Sequence, residues 1–206
     1  ALVNKFGDPE RKVASRLTHL LGQLSLSHPA MKPVILAEVQ RFVLRPRVGE
    51  RAQYYALVYL NQLVLARGQP EVAHTLLLIY LSLFAAQASA DGAEAAGRAA
   101  RGGRRGRGGR GGRGRGGAVA SGGGFVNSRM LSVILSGIHR AVPYCEAPGE
   151  ALLAQLDALF RCAHADNFST VVQSLMVLAH TAKFAPSAVD RFYRALYAAM
   201  LHADLA

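Results

Sequence analysis

The stretch DPERKVASRLTHLLGQLSLSHP, residues 8–29, decides the fold class. Asp8-Pro9-Glu10 combines a helix-capping side chain, a proline suited to the first helical position and an acid suited to the first turn. Val13, Leu17, Leu20, Leu21 and Leu24 then recur at steps of four, three, one and three, which places them on one face of a helix. Ser27-His28-Pro29 breaks the pattern. The prediction is an amphipathic helix starting near Asp8, with an apolar face that needs partners.

Working outward, the same grammar recurs. A second helix is expected from about Met31 to Leu44, with Ile35, Val39, Phe42 and Val43 inward and Arg45-Pro46 as its stop. A third starts near Gly49 and carries Ala52, Tyr55, Val58, Tyr59 and Leu63. After Gly68 and Pro70, a fourth runs from Glu71 to about Gln87. Further on, Asn127 caps a helix with Leu131, Ile134, Leu135 and Ile138 inward, ended by Pro143. Gly149 precedes one with Leu152, Leu153, Leu156, Leu159 and Phe160. Asn167 caps the next, with Val171, Val172, Leu175 and Leu178. Pro186-Ser187 opens the last, with Val189, Phe192, Tyr193, Leu196 and Met200.

Helix pairs thus begin near residues 8, 50, 127 and 167, a spacing of roughly 40 residues within each half, the period of HEAT and armadillo arrays. No apolar run alternates with period two, so the strands of an α/β enzyme are not expected. Between the halves, residues 98–117 contain only Arg, Gly and Ala. Such a run has no apolar surface to offset its ordering entropy and is expected to be disordered. The reading is an all-α, HEAT/armadillo-like helical repeat solenoid interrupted by a disordered Arg/Gly-rich insertion. Its parts are a first half at 1–87, a linker at 88–125 and a second half at 126–206, with about four helices in each half. The chain begins at Ala1 and stops inside a helical pattern at Leu205-Ala206, and is expected to be a segment of a longer protein.

Half of the 206 residues (51%) are hydrophobic and only 18% are charged, enough for a packed core. The net charge of +11 is uneven. Arg98, Arg101, Arg104, Arg105, Arg107, Arg110, Arg113 and Arg115 are eight of the 24 basic residues, and without them the net is about +3. Guanidinium groups contact phosphates and stack on bases, and glycine lets the chain follow any backbone path, so these eight arginines are candidate RNA contacts. The run lacks the Lys-Ser/Thr of a phosphate-binding loop. Glu71–Gln87 is apolar but at the short limit for a membrane span, and a buried central helix accounts for it; no membrane partner is expected.

Catalytic or metal chemistry finds little support. Cys145 and Cys162 belong to no C-x-x-C, and the seven histidines form no H-E-x-x-H or paired i, i+4 set. Cys162, His164 and Asp166 are close in sequence, but that is not the convergent geometry a nucleophile and base require. No catalytic residue, metal site, cofactor or small-molecule substrate is expected, and the chain is not expected to be an enzyme. Polar residues do gather at helix starts: Glu50, Arg51, Gln53 and Tyr54; Asn127 and Arg129, with Arg140 at that helix's end; and Asp190, Arg191 and Arg194. They are expected either to cap helices and tie repeats together or to form a partner surface, with Arg129, Arg140 and Arg194 the best candidates for the latter.

Five blocks also carry a resemblance. They are Asn4-Lys5-Phe6-Gly7-Asp8-Pro9 with Arg11-Lys12-Val13-Ala14-Ser15; Glu50-Arg51-Ala52-Gln53-Tyr54-Tyr55 with Leu60-Asn61-Gln62; Asn127-Ser128-Arg129 with Gly137, Arg140-Ala141 and Pro143-Tyr144; Asn167-Phe168; and Asp190-Arg191-Phe192-Tyr193-Arg194-Ala195-Leu196-Tyr197. In these blocks the chain resembles the CCAAT-binding-factor domain of the nucleolar complex family. The resemblance implies an α-helical scaffold of the nucleolus acting in early assembly of the large ribosomal subunit. It implies a nucleolar assembly-factor partner of the same family and contact with pre-ribosomal RNA in the pre-ribosomal particle, with no active site to carry over. The Arg/Gly run departs in composition from the insertion the family has at this place. Two alternatives are a regulator of transcription at CCAAT promoters and a helical-repeat interaction module outside ribosome assembly. The first needs an ordered basic element able to enter a groove.

Overall fold

In the computed structural model of the chain, the described residues are 2–102, 123–145, 149–165 and 167–201, with side chains described outside 89–102 and 123–127. They form nine α-helices: α1 (Arg11–Ser27), α2 (Lys32–Val43), α3 (Glu50–Gln62), α4 (Pro70–Gly102), α5 (Gly123–Ala141), α6 (Gly149–Leu153), α7 (Leu156–Cys162), α8 (Phe168–Thr181) and α9 (Val189–Met200). Short 3-10 turns at Leu2–Gly7, Pro29–Met31, Val142–Tyr144 and Pro186–Ala188 lead into or out of them. Among the described residues there is no strand.

The helices stack in two layers. One row runs α1, α3, α5, α8, each beside the next. In the other, α2 lies beside α4 and α4 beside α6. Across the layers α2 packs on α3, α4 on α5, and both α7 and α9 on α8. This is the expected helical-repeat solenoid, and first helices of successive pairs start 39 residues apart in the first half and 45 in the second.

One core runs through the stack. Leu17 and Leu21 of α1, Ile35, Leu36, Val39, Phe42 and Val43 of α2, and Leu57, Tyr59 and Leu60 of α3 join it from the first pairs. Ile134, Leu135 and Ile138 of α5 and Val171, Leu175 and Leu178 of α8 continue it. Each such side chain contributes about 1.5–3 kcal/mol by leaving water. Helix α4 is central: Leu76, Leu77, Ile79, Tyr80 and Phe84 are fully buried. The segment Pro70–Ala88 is long and apolar enough to cross a membrane, but half of it is buried inside the fold, and its packing on α2, α5 and α6 accounts for its composition.

Several expected boundaries shift. Helix α1 begins at Arg11 with Glu10 as its N-cap, not at Asp8. The Asp8 carboxylate accepts from the Glu10 N–H at 3.1 Å, an Asx-type turn that delays the helix. Helix α4 continues to Gly102, past the stop expected near Gln87, because residues 85–100 are rich in alanine, the best helix former. Helix α5 starts at Gly123, so Asn127 lies inside it and is not its cap. An interior asparagine costs a helix less than about 0.7 kcal/mol, too little to stop one anchored by Met130, Ile134 and Leu135. The boundaries at 87/88 and 125/126 therefore fall within α4 and α5. The single helix expected after Gly149 is two, α6 and α7. No Gly or Pro marks the break at Ala154-Gln155; α6 meets both α4 and α8, while α7 packs on α8. Asn167 caps α8 as expected, its side chain accepting from the Thr170 N–H at 3.3 Å.

Some expected inward residues face out. Leu20 is 47% exposed, Tyr193 52% and Met200 61%; Leu153 and Val172 are also exposed. Apolar periodicity marks a face, and whether anything covers that face is a tertiary matter. On α9 one edge meets α8, Arg191 ties it to α7, and Tyr193, Tyr197 and Met200 stay exposed.

Candidate functional site

Helix ends leave carbonyls without intrahelical partners. In this chain, polar side chains from neighbouring helices supply the donors, and the densest such site joins α3, α4 and α5. At the C-terminus of α3, Arg140 of α5 donates from Nη1 to the Leu63 carbonyl at 2.7 Å and from Nη2 to the Leu60 carbonyl at 2.8 Å. Lys32 at the start of α2, buried apart from its tip, reaches the Val64 carbonyl at 3.2 Å. Two cations thus converge on the negative end of the α3 dipole, where positive charge is favoured.

In the same last turn of α3, Asn61 spans the other two helices. Its Nδ2 donates to the Val133 carbonyl of α5 at 3.0 Å, and its Oδ1 accepts from the Tyr80 hydroxyl of α4 at 2.5 Å. Tyr80 is fully buried. Burial pushes its phenol well above the ordinary range, and the neighbouring Arg140 guanidinium pulls it only part of the way back. The ring lies flat against Gly137: a Cβ there would sit 2.6 and 2.7 Å from Cε1 and Cε2. Glycine at 137 is therefore a condition for close approach of α4 and α5. The group welds the chain before the insertion to the chain after it. Arg140 Nε is buried with no hydrogen-bond partner among the described residues.

The other expected site residues follow the same rule or sit at the surface. Gln53 Nε2 donates to the Val43 carbonyl, the last of α2, at 3.2 Å. Arg51 Nη2 reaches the Pro9 carbonyl ahead of α1 at 3.1 Å. Tyr54 is half-buried and packs edge-on against Tyr55, while Glu50 is exposed in the first turn of α3. Arg129 is exposed on α5. Asp190 and Arg194 form an exposed pair one turn apart at 2.7 Å. Arg191 pairs with Asp157 of α7 at 2.6 Å and lies 4.1 Å over the Phe160 ring, tying α9 to α7. The side chain of Asn127, and those of Arg98 and Arg101 within the span of α4, lie outside the described residues, as do Arg104, Arg105, Arg107, Arg110, Arg113 and Arg115.

Sequence reading passed over Tyr80, Lys32 and Gly137 as members of a site. Tyr80 had a signal, the one hydroxyl-bearing ring in the apolar run Leu76–Phe84. Lys32 at a helix start looks like an ordinary surface lysine in sequence.

Among the described residues, no group of three or more His, Cys, Asp or Glu is placed to hold a metal. The Cys145 thiol donates to the Ala141 carbonyl at 3.4 Å, and burial pushes it up to about 11, far from a nucleophilic thiolate. Cys162 ends α7 half-buried, His164 is exposed, and Asp166 lies outside the described residues. The His139 and His180 rings meet with centroids 5.0 Å apart. Burial, then His139 and Lys183, lower the His180 pKa.

No family model matches the chain. Individual relatives do, nearly from end to end. The chain is 33% identical over 204 residues to human CCAAT/enhancer-binding protein zeta, covering 99% of this chain and 16% of that protein. It is 38% identical over 202 residues to the ribosome biogenesis protein NOC1 of Chaetomium thermophilum, covering 97% and 19%. It is 30% identical over 209 residues to nucleolar complex protein 1 of Drosophila melanogaster, covering 99% and 15%. The chain thus spans less than a fifth of the length of these relatives. Over nearly its whole length it belongs to the nucleolar complex family of CCAAT/enhancer-binding protein zeta and NOC1.

Proposed function

We propose that this chain is part of a non-catalytic scaffold in the nucleolar assembly of the large ribosomal subunit. In this reading it holds a partner assembly factor of its own family and contacts pre-ribosomal RNA within the particle. The observation that carries the proposal is the end-to-end identity to proteins named for ribosome biogenesis and the nucleolar complex. The physical character of the fold supports it. Polar side chains of neighbouring helices are spent on helix ends and inter-helix ties, as in a rigid support.

The test is crosslinking of the tagged full-length protein to RNA in cells, with and without residues 98–117. Recovery of large-subunit precursor RNA by both forms is expected, with the helical repeats docking on the particle and the Arg/Gly run as an accessory. Recovery from neither form, with the protein shown intact, would falsify the assembly reading. Enrichment of promoter DNA in place of precursor RNA would favour the transcriptional alternative.

A further inference from the structure

Outside the Arg/Gly run, positive charge is concentrated in the chain up to the end of α3 and the loop after it. Residues 1–67 hold ten Lys or Arg against four Asp or Glu, whereas residues 126–206 hold six of each. Five of the ten are occupied. Lys5 pairs with Asp8, Arg41 with Glu38, Arg45 bonds Asn4, and Arg51 and Lys32 bond carbonyls. Arg47 and Arg67, in the loops flanking α3, have no ion pair or hydrogen bond among the described residues; Arg11, Lys12 and Arg16 have none either and lie together on one helix. All three are exposed on α1.

These three side chains line one shallow groove with Ser15, His19 and Tyr55. Arg11, Ser15 and His19 form one row at successive turns of the helix, about 6 Å apart; Lys12 and Arg16 form the row beside it. Half-buried Tyr55 of α3 also lines the groove. Two cations also occupy the first turn of α1, which holds no acid. That placement opposes the positive end of the helix dipole and is unfavourable for folding alone. The same superposition of charge and unpaired N–H groups favours an approaching anion. The nearest carboxylates in sequence are Asp8, which is engaged with Lys5, and the exposed Glu10 at the N-cap. No aliphatic side chain lines the groove, so it offers little to the apolar anchor of a protein partner and much to a phosphate backbone.

We infer that the α1 face formed by Arg11, Lys12 and Arg16, with Ser15, His19 and Tyr55, is an ordered binding site for the phosphate backbone of RNA, separate from the Arg/Gly run. The cations neutralise successive phosphates and Tyr55 offers a surface for an unpaired base. The inference deepens the assembly reading, on which its RNA ligand rests.

The experiment uses the full chain with the eight arginines of 98–115 changed to glutamine, so that the run does not mask the face. Binding of a labelled single-stranded 12-mer RNA is followed by anisotropy across roughly 50 to 200 mM salt, the range over which such contacts weaken. Arg11→Gln, Lys12→Gln and Arg16→Gln together are expected to weaken binding at least about tenfold at low salt. They should also flatten the plot of log affinity against log salt by about two, near 0.7 for each lost single-strand contact. Conservative Arg11→Lys with Arg16→Lys should retain the affinity, and Tyr55→Leu should weaken it without changing the salt slope. Unchanged affinity and slope in the triple variant, with unaltered helicity and melting, would overturn the inference. So would tighter binding of a poly-glutamate peptide than of RNA to the same face. The full-length triple variant is then followed into pre-ribosomal particles. Loss of RNA affinity in vitro with retained particle association supports the face and leaves recruitment to other contacts. Absence of the wild-type protein from the particles refutes the assembly reading while the in vitro result still decides the face.

Discussion

The α3–α4–α5 junction and the α7–α9 end of the chain use the same kinds of residue to opposite energetic effect. At the junction, Arg140, Asn61 and Tyr80 satisfy buried groups on three helices, and every donor that is removed strands an acceptor away from water. At the α7–α9 end, Asp157–Arg191 and Asp190–Arg194 are ion pairs of good length with side chains 52–80% exposed. Water competes for those partners and salt screens them, so such pairs contribute about 0–1 kcal/mol. Burial, more than charge, decides which ties hold the solenoid together.

The sharpest way to break the contrast is Gly137→Ala. Alanine in place of glycine inside a helix ordinarily stabilises by about 1 kcal/mol. Here the new methyl must enter the Tyr80 ring, which is held by Asn61 and buried on all sides, so a loss above about 3 kcal/mol is expected in urea unfolding. Gly22 on α1 has nothing within 4 Å of its would-be Cβ, and Gly22→Ala should instead gain up to about 1 kcal/mol. If both variants stabilise, the packing of Tyr80 on Gly137 is wrong.

Next in size is Arg140→Met, which removes two hydrogen bonds to the end of α3 while keeping the aliphatic stem; a loss of about 2–3 kcal/mol is expected. Tyr80→Phe should cost about 1–2 kcal/mol by leaving Asn61 Oδ1 without its donor. On the exposed side, Asp157→Ala should cost at most about 0.5 kcal/mol and vanish in molar salt. Arg191→Ala should cost somewhat more, because it also uncovers the Phe160 ring, worth about 0.5–1 kcal/mol at an exposed site. Equal losses at Arg140 and Asp157 would remove the distinction between the two regions.

The smallest effect is in pH. His180 has a folded pKa below its ordinary 6.5, so the unfolded chain binds more protons there. Its contribution is present above about pH 6.5 and is lost as pH falls below that value. Stability measured from pH 7.5 down to 5.5 should therefore decline slightly, and His180→Gln should flatten that part of the curve. A rise in wild-type stability on acidification that disappears in the variant would contradict the assigned direction.

Much of the fold could be read in the chain because helix-period patterns and proline punctuation are local signals. The stops at Ser27-His28-Pro29 and Arg45-Pro46 and the cap at Asn167 fall where the sequence places them. The site was less legible. Arg140 stands out as a polar residue closing a helix, yet its partners at Leu60 and Leu63 lie across the insertion. Nothing near it in sequence tells that its work is to cap another helix.

By itself the sequence determined that this chain is helical, repeated and interrupted, because backbone propensity and apolar spacing act over a few turns. It also placed the family-like blocks that point to the nucleolar complex proteins. Tertiary structure alone decided which polar residues are buried. It set Tyr80 on Gly137, turned Lys32 inward and left the α1 face of Arg11, Lys12 and Arg16 uncovered. Those outcomes depend on the approach of helices far apart in the chain, and no spacing within one helix encodes that approach.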